Sequence, residues 1–559
     1  MVNFAPAETP VFEPWPGYLG DRMPPTRDRP SFDFIIVGSG SSGAVLAARL
    51  SEDTNARVLL LEAGGRSHPL GWLPISYGLL LDHPKANWRF RSAPEPGTFE
   101  RRIPVPRGKL LGGSSAINGL VYVRGQTDDY DHWAQLGNRG WSWSDVAPVF
   151  QRMESYQHGD PAIRGRNGPL RLTEVRERNR LYDAMFAAVE ASGFRRNHDY
   201  NGAEQDGIGL TQASIHNGRR MSTAACYLRP AMLRRNLRVV TGALAMRVIL
   251  DGKRCVGIVY DHGGKVFKQF AAREVILSAG SFGSPQLLEL SGIGNPDVLT
   301  KAGIPVEHSL PAVGDGLRDH MVGRLQWQVK VPGVSHNTRV HGVRAVWEAV
   351  KYLASGQGFL GQPGALLLAF LRTRPELASP DIQLSFLPYT VKNPKKRQLH
   401  SAPGMTLTLY QLRPESLGSV HVQSGDPREQ PEIRFNFLDE TVDQNTIIDG
   451  FRLARRIIES APLDDYRGDE VSPGQDVQNE DEILDWMRRN AETAYHPIGT
   501  CRMGRGPRAV VDERLRVHGI EALRVADASI MPTMPSGNTN APCIMIGEKA
   551  SDMIRADYL

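Results

Sequence analysis

The sequence predicts an α/β fold: a Rossmann-like parallel unit joined to an α+β part built on an antiparallel sheet. Three observations lead there. The stretch 32–64 reads as strand, glycine turn, helix, strand and acid; period-two alternation recurs beyond residue 380; and 559 residues exceed what one simple core accommodates.

The first element is FDFIIVGSGSSGAVLAARLSEDTNARVLLLEAG, Phe32 to Gly64. An apolar run, Phe34 to Val37, meets Gly38, Gly40 and Gly43 in G-x-G-x-x-G spacing, and a second run, Val58 to Leu61, ends at Glu62. Each part has a task if the ligand is a dinucleotide. Gly38 permits the tight turn, Gly40 admits a pyrophosphate to the backbone, and Gly43 lets helix and strand pack, with the helix N-terminus facing the negative charge. Glu62, about 20 residues on, accepts hydrogen bonds from a ribose. Ser41, Ser42 and Ala63 adjoin these positions and are grouped with them as cofactor contacts. NAD and FAD remain equally open at this stretch.

Composition excludes some classes. Lys+Arg 66 against Asp+Glu 61 gives a net charge of +5, too weak an imbalance for nucleic-acid binding, and Lys392 to Arg397 (KNPKKR) reads as a solvated loop. Cys226, Cys255, Cys501 and Cys543 are widely spaced and form no C-x-x-C, which speaks against disulfides and a cysteine metal site and favours the reducing cytoplasm; no metal is expected. No apolar run approaches a membrane span. Residues 1–31, with Pro6, Pro10, Pro14, Pro16, Pro24, Pro25 and Pro30, read as an extended arm rather than a secretion signal.

Arg107 to Gly125, RGKLLGGSSAINGLVYVRG, packs small polar residues too densely for a regular element and reads as a backbone-rich cradle. This stretch resembles the first signature of the glucose-methanol-choline (GMC) oxidoreductases, FAD enzymes. A second follows at Gly280 to Gly294 (GSFGSPQLLELSGIG), a third at Tyr495 to Gly504 (YHPIGTCRMG) and a fourth at Leu523 to Glu548. All four occur in the family's order. The resemblance implies FAD as cofactor, with contacts at Arg107, Gly112, Gly113, Ser114, Asn118, Gly119, Val121, Ala279, Gly280, Asp527, Ala528 and Thr539. Ala245 falls where relatives contact the adenine. Ile117 stands where some relatives carry a histidine bonded to FAD, so the cofactor is expected to be non-covalent.

The resemblance also implies a discontinuous cofactor domain at 32–165, 220–315 and 505–559, and a substrate domain at 166–219 and 316–504. Asn236 to Val259 reads as a β meander turning at Asp251-Gly252. Asp381 to Pro388, Met405 to Arg413 and Gly418 to Val422 read as strands of the substrate-domain sheet.

In such enzymes a base takes the hydroxyl proton while the α-carbon hydride goes to flavin N5, a task that suits histidine. His496 holds that position in the resemblance and Asn540 is expected as its partner, an amide donor to the substrate oxygen; Asn538 is set aside because Ala541-Pro542-Cys543 favours Asn540. His320, in VGDGLRDH, is given a structural role at a domain boundary. Gly364 to Leu371 (GALLLAFL), with Phe386, Pro388 and Tyr410, suggests an apolar pocket, and no carboxylate in these stretches is placed to hold a choline ammonium. The expected activity is oxidation of neutral aliphatic or aromatic primary alcohols to aldehydes, with oxygen or another compound as electron acceptor and no nucleic-acid partner. Choline oxidation, hydroxynitrile lysis, fatty acid photodecarboxylation and a purely structural flavoprotein are the rivals. No cysteine lies between Cys255 and Cys501, which counts against the photodecarboxylase.

Overall fold

Strand Phe32–Val37 lies near the middle of a seven-stranded sheet. It pairs in parallel with Val58–Glu62 on one side and with the end of Lys265–Leu277 on the other. Leu237–Thr241 extends the sheet beyond Val58–Glu62, and Leu523–Val525 extends it beyond Lys265–Leu277. Phe34, Ile35, Ile36 and the run Val58–Leu61 are almost wholly buried, as a parallel sheet covered on both faces requires. The computed structural model describes residues 32–393 and 398–558; the proline-rich arm and most of the KNPKKR run lie outside them.

The long strand Lys265–Leu277 changes partners midway. Up to Phe270 it pairs antiparallel with Arg254–His262, which pairs with Ala243–Asp251; from Ala271 it joins the parallel sheet. The expected meander is therefore split. Its first segment, Leu237–Thr241, is a parallel strand beside Val58–Glu62, and Gly242, at φ +69°, breaks the chain before the true hairpin. Alternation alone does not distinguish the two neighbours.

A second seven-stranded sheet is antiparallel, in the order Arg467–Ser472, Met321–Val329, Gly404–Gln411, Ile382–Leu387, Leu367–Leu371, Gly207–Leu210, with Glu492–Thr493 beside the start of Met321–Val329. Two expected strands lie side by side within it. The third, Gly418–His421, instead joins a small sheet with Asp315–Leu317 and Glu432–Arg434. The apolar run at Gly364 to Leu371 is largely a buried strand. Helix Thr441–Glu459 covers one face of this sheet through Ile447, Phe451 and Ala454, which leaves the other face free to roof a cavity.

The C-terminal helix Asn540–Tyr558 packs against Gly43–Leu50, across almost the whole sequence. Ser42 Oγ donates to the Cys543 carbonyl at 2.7 Å, and Arg49 pairs with the buried Glu548 at 2.8 Å. Gly43 is closed in on the other side: a Cβ there would lie 1.9 Å from the Gly38 carbonyl oxygen. Gly43→Ala should therefore cost roughly 1–3 kcal/mol of stability and lower the bound flavin per chain, measured by thermal unfolding and flavin absorbance of the purified protein.

Candidate active site

One cavity of about 780 Å³ runs from the glycine turn to the free face of the antiparallel sheet. Its first half is bounded by Gly38, Gly40, Ser41, Ser42, Glu62, Ala63 and Ala245, and its far half by His496, Asn538 and Tyr410.

The glycines divide their work as the motif requires. Gly38 sits at φ +95°, with Ser278 O only 2.4 Å from where a Cβ would be, so only glycine makes the turn. At Gly40 a Cβ would meet nothing nearer than 3.9 Å, which leaves the backbone open to the cavity. Across from it, Gly113 at φ +51° would place a Cβ 2.7 Å from Gly40 Cα, and Gly112 donates its N–H to Ser39 O at 2.9 Å. Two glycine segments thus meet backbone to backbone beside the space a pyrophosphate needs, and the residues present fit FAD.

Glu62 is fixed by three donors: Ser39 N–H at 3.0 Å and Ser39 Oγ at 2.6 Å on one oxygen, Gly64 N–H at 2.8 Å on the other. Burial raises its pKa and these donors oppose the rise. Asp527 accepts from the Gly280 N–H at 2.8 Å and from Ser284 Oγ at 2.6 Å, which ties the fourth signature to the second. Arg107, Ser114, Asn118, Gly119, Val121, Ala279, Gly280, Asp527, Ala528 and Thr539 all border the cavity. Gly43 and Gly112 stand behind it and act through packing.

The third signature reaches the cavity through a fastened turn. Ser281 Oγ donates to Pro497 O at 2.6 Å, and Thr500 Oγ1 to Ser281 O at 2.7 Å. Tyr495 is held at φ +69°, a conformation rare for a side-chain-bearing residue. Its N–H donates to Thr493 Oγ1 at 2.7 Å and its carbonyl accepts from Arg107 at 2.6 Å. Asp319 Oδ1 accepts the backbone N–H of both His320, at 2.8 Å, and His496, at 2.9 Å.

A chain of hydrogen bonds then fixes the tautomer of His496. His320 Nε2 is 2.8 Å from the Leu412 carbonyl oxygen, which only accepts, so Nε2 carries the proton. Burial lowers the His320 pKa to about 4, so the ring is neutral and its Nδ1 holds a lone pair. That Nδ1 lies 2.9 Å from His496 Nδ1, which must therefore be the donor. The lone pair of His496 is left on Nε2, at the cavity wall, where the Asn538 amide donates to it at 3.0 Å. Burial and the neighbouring His320 hold the His496 pKa well below its usual value.

Two expectations change here. Asn540 does not reach His496: it is the first residue of the C-terminal helix, and its Oδ1 accepts from Ser41 Oγ at 2.8 Å. Asn538 lies two residues earlier in the turn and makes the contact instead. Pro542 falls in the first helical turn, where proline is tolerated, and that signal places Asn538 outside the helix. His320 is also more than a boundary residue, because it hydrogen-bonds His496 across 176 positions of sequence. Tyr410, stacked on His320 at 4.6 Å, and Gln383 complete this end.

Family models described as GMC oxidoreductase match residues 32–322 and 414–547. The chain belongs to the GMC oxidoreductase family. Among its relatives, the oxygen-dependent choline dehydrogenase of Photobacterium profundum is 40% identical over 529 residues, 94% of this chain and 93% of that one. The oxygen-dependent choline dehydrogenase of Rhizobium etli is 42% identical over 93% of this chain and 95% of its own length. A solved pyridoxine 4-oxidase from Mesorbium loti superposes with a TM-score of 0.85 at 30% identity, covering 94% of this chain and 99% of that one. This GMC oxidoreductase uses FAD and acts on CH–OH donors. No helix among the described residues is long and apolar enough to cross a membrane.

The depressed histidines set a pH dependence. Below about pH 6.5 the unfolded chain takes up protons that the folded chain refuses, so stability is complete above that value and is lost as pH falls towards about 4. Asp319, whose pKa burial raises to about 6, acts in the opposite sense over this range. Urea unfolding at pH 7.5, 6 and 5 should therefore show the histidine loss as a difference: stability falls less towards pH 5 in His320→Asn than in the wild type.

Proposed function

We propose that the cavity oxidises a primary alcohol, R-CH2OH, to the aldehyde, and that the substrate hydroxyl takes the place of the Asn538 amide on the His496 Nε2 lone pair, which receives its proton. The observation that carries this is the tautomer chain from Leu412 through His320 to His496, which keeps the base unprotonated where it meets the cavity. Bound FAD supplies the acceptor for the α-carbon hydride, with oxygen or another compound taking the electrons afterwards. Asn538 Nδ2–H is the donor to the oxygen as it gains alkoxide character, a fixed dipole that needs no reorganisation. Asn540, with Ser41, holds the helix start against the glycine loop and serves the cofactor.

The cofactor-facing residues support non-covalent FAD, since Ile117, buried at the cavity wall, offers no nucleophile. The strands also support the two-part division. Every strand of the parallel sheet falls within 32–165, 220–315 or 505–559, and every strand of the roof falls within 166–219 or 316–504. The substrate is an aliphatic or aromatic alcohol, uncharged around the reacting carbon. Free cysteines at Cys226, Cys255, Cys501 and Cys543 support a cytoplasmic setting.

Anaerobic flavin reduction by an alcohol tests this reading and separates it from lyase chemistry, which leaves the flavin oxidised. His496→Ala should slow reduction by about 10²–10⁴-fold and Asn538→Ala by about 10²–10³-fold. Asn540→Ala should reduce flavin retention more than the rate per bound flavin. A larger rate loss in Asn540→Ala at full flavin content would restore Asn540 as the partner.

A further inference from the structure

The roof over the reacting end is chemically graded along its strands. Gln383 pairs with Tyr410 in the row beside His496; the next row pairs Arg324, Thr408 and Ser385; the third pairs Gln326, Thr406 and Leu387. All of them border the cavity. Successive rows on one face are roughly 7 Å apart.

Two features of this roof leave polar atoms open. Gln383 Oε1 and the Tyr410 hydroxyl are buried, their residues only 1% and 4% exposed, yet neither has a hydrogen-bond partner among the described residues. In the second row, Arg324 is bound only through one nitrogen, at 3.3 Å from Glu492, and 35% of its side-chain surface stays open. The Glu492 contact occupies one terminal nitrogen of Arg324, and nearby Arg101 is anchored on the Arg488 and Ala491 carbonyls. The other carboxylates at the cavity wall, Glu62 and Asp527, are engaged at the glycine-motif side.

A half-buried guanidinium with open donors, flanked in its row by the Thr408 and Ser385 hydroxyls, is a receptor for a carboxylate. We propose that the preferred substrate is a primary alcohol whose far end carries a carboxylate one strand row, roughly 7 Å, from the reacting end, and that Arg324 determines this specificity. The inference rests on the alcohol-oxidation reading above. It narrows the expectation of a neutral substrate: the reacting end is uncharged and the distal end is an anion. Among the described residues of the wall, a quaternary ammonium meets no carboxylate without a partner.

Benzyl alcohol and 4-(hydroxymethyl)benzoate are the probes, with anaerobic flavin reduction as one readout. Calorimetric binding of 4-methylbenzoate, which lacks the reacting hydroxyl, is the other. The wild-type holoenzyme should favour the carboxylated alcohol in kcat/KM by about tenfold or more. Arg324→Gln should cut that ratio and weaken 4-methylbenzoate binding by about 10–100-fold, the range for a hydrogen bond to a charged group, and Arg324→Lys should recover part of each. Wild-type preference for benzyl alcohol, or an unchanged ratio in Arg324→Gln at equal flavin content, would overturn the proposal. If neither alcohol reduces the flavin while 4-methylbenzoate binding still depends on Arg324, alcohol oxidation fails and the anion site stands. Flavin reduction with Arg324-independent binding is the reverse result and removes the anion site.

Discussion

Backbone has to touch backbone around Gly38 to Gly43, and the rest of the molecule is arranged to allow it. The turn at Gly38 leaves no space for a side chain against Ser278, Gly113 is pressed to Gly40, and Gly43 lies against the Gly38 carbonyl. Gly547 of the C-terminal helix would bring a Cβ within 2.7 Å of Ser42 O. Polar backbone groups are thereby gathered at one end of a buried cavity, an arrangement suited to an anionic pyrophosphate.

At the other end the logic is inverted, and side chains rather than backbone decide the chemistry. A histidine alone in a cavity has two tautomers and a pKa open to either state. Here a carbonyl at Leu412, acting through His320, leaves one tautomer, and burial removes the charged form. Asp319 supplies the mechanical part by gripping the backbone N–H of both histidines. His320 is thus a positioning residue, while His496 and Asn538 present their polar atoms to the cavity.

What the sequence made legible was local. The strand, turn and helix at the start are dictated by adjacent residues, and so is the acid at Glu62; the alternation at Ile382–Leu387 and Gly404–Gln411 likewise records one face packed and one face lining a cavity. What escaped depended on distant partners. The segment Leu237–Thr241 alternates like a hairpin strand, and only Gly242 marks where it leaves the parallel sheet. The choice between Asn538 and Asn540 turned on where a helix begins, a boundary of the kind that pattern reading places least well. His320 joined the site through a contact between segments whose sequences show no link.

The packing of the C-terminal helix on the first helix has a consequence for biosynthesis. Ser41 meets Asn540, and Arg49 meets Glu548, each pair 499 residues apart. At about 5–20 residues per second, the ribosome holds the nascent glycine turn without its cover for roughly half a minute or more. During that interval the apolar flank of Gly43–Leu50 is open, and the cofactor pocket lacks one wall. The first helix thus stays incomplete until the last segment of the chain has been made.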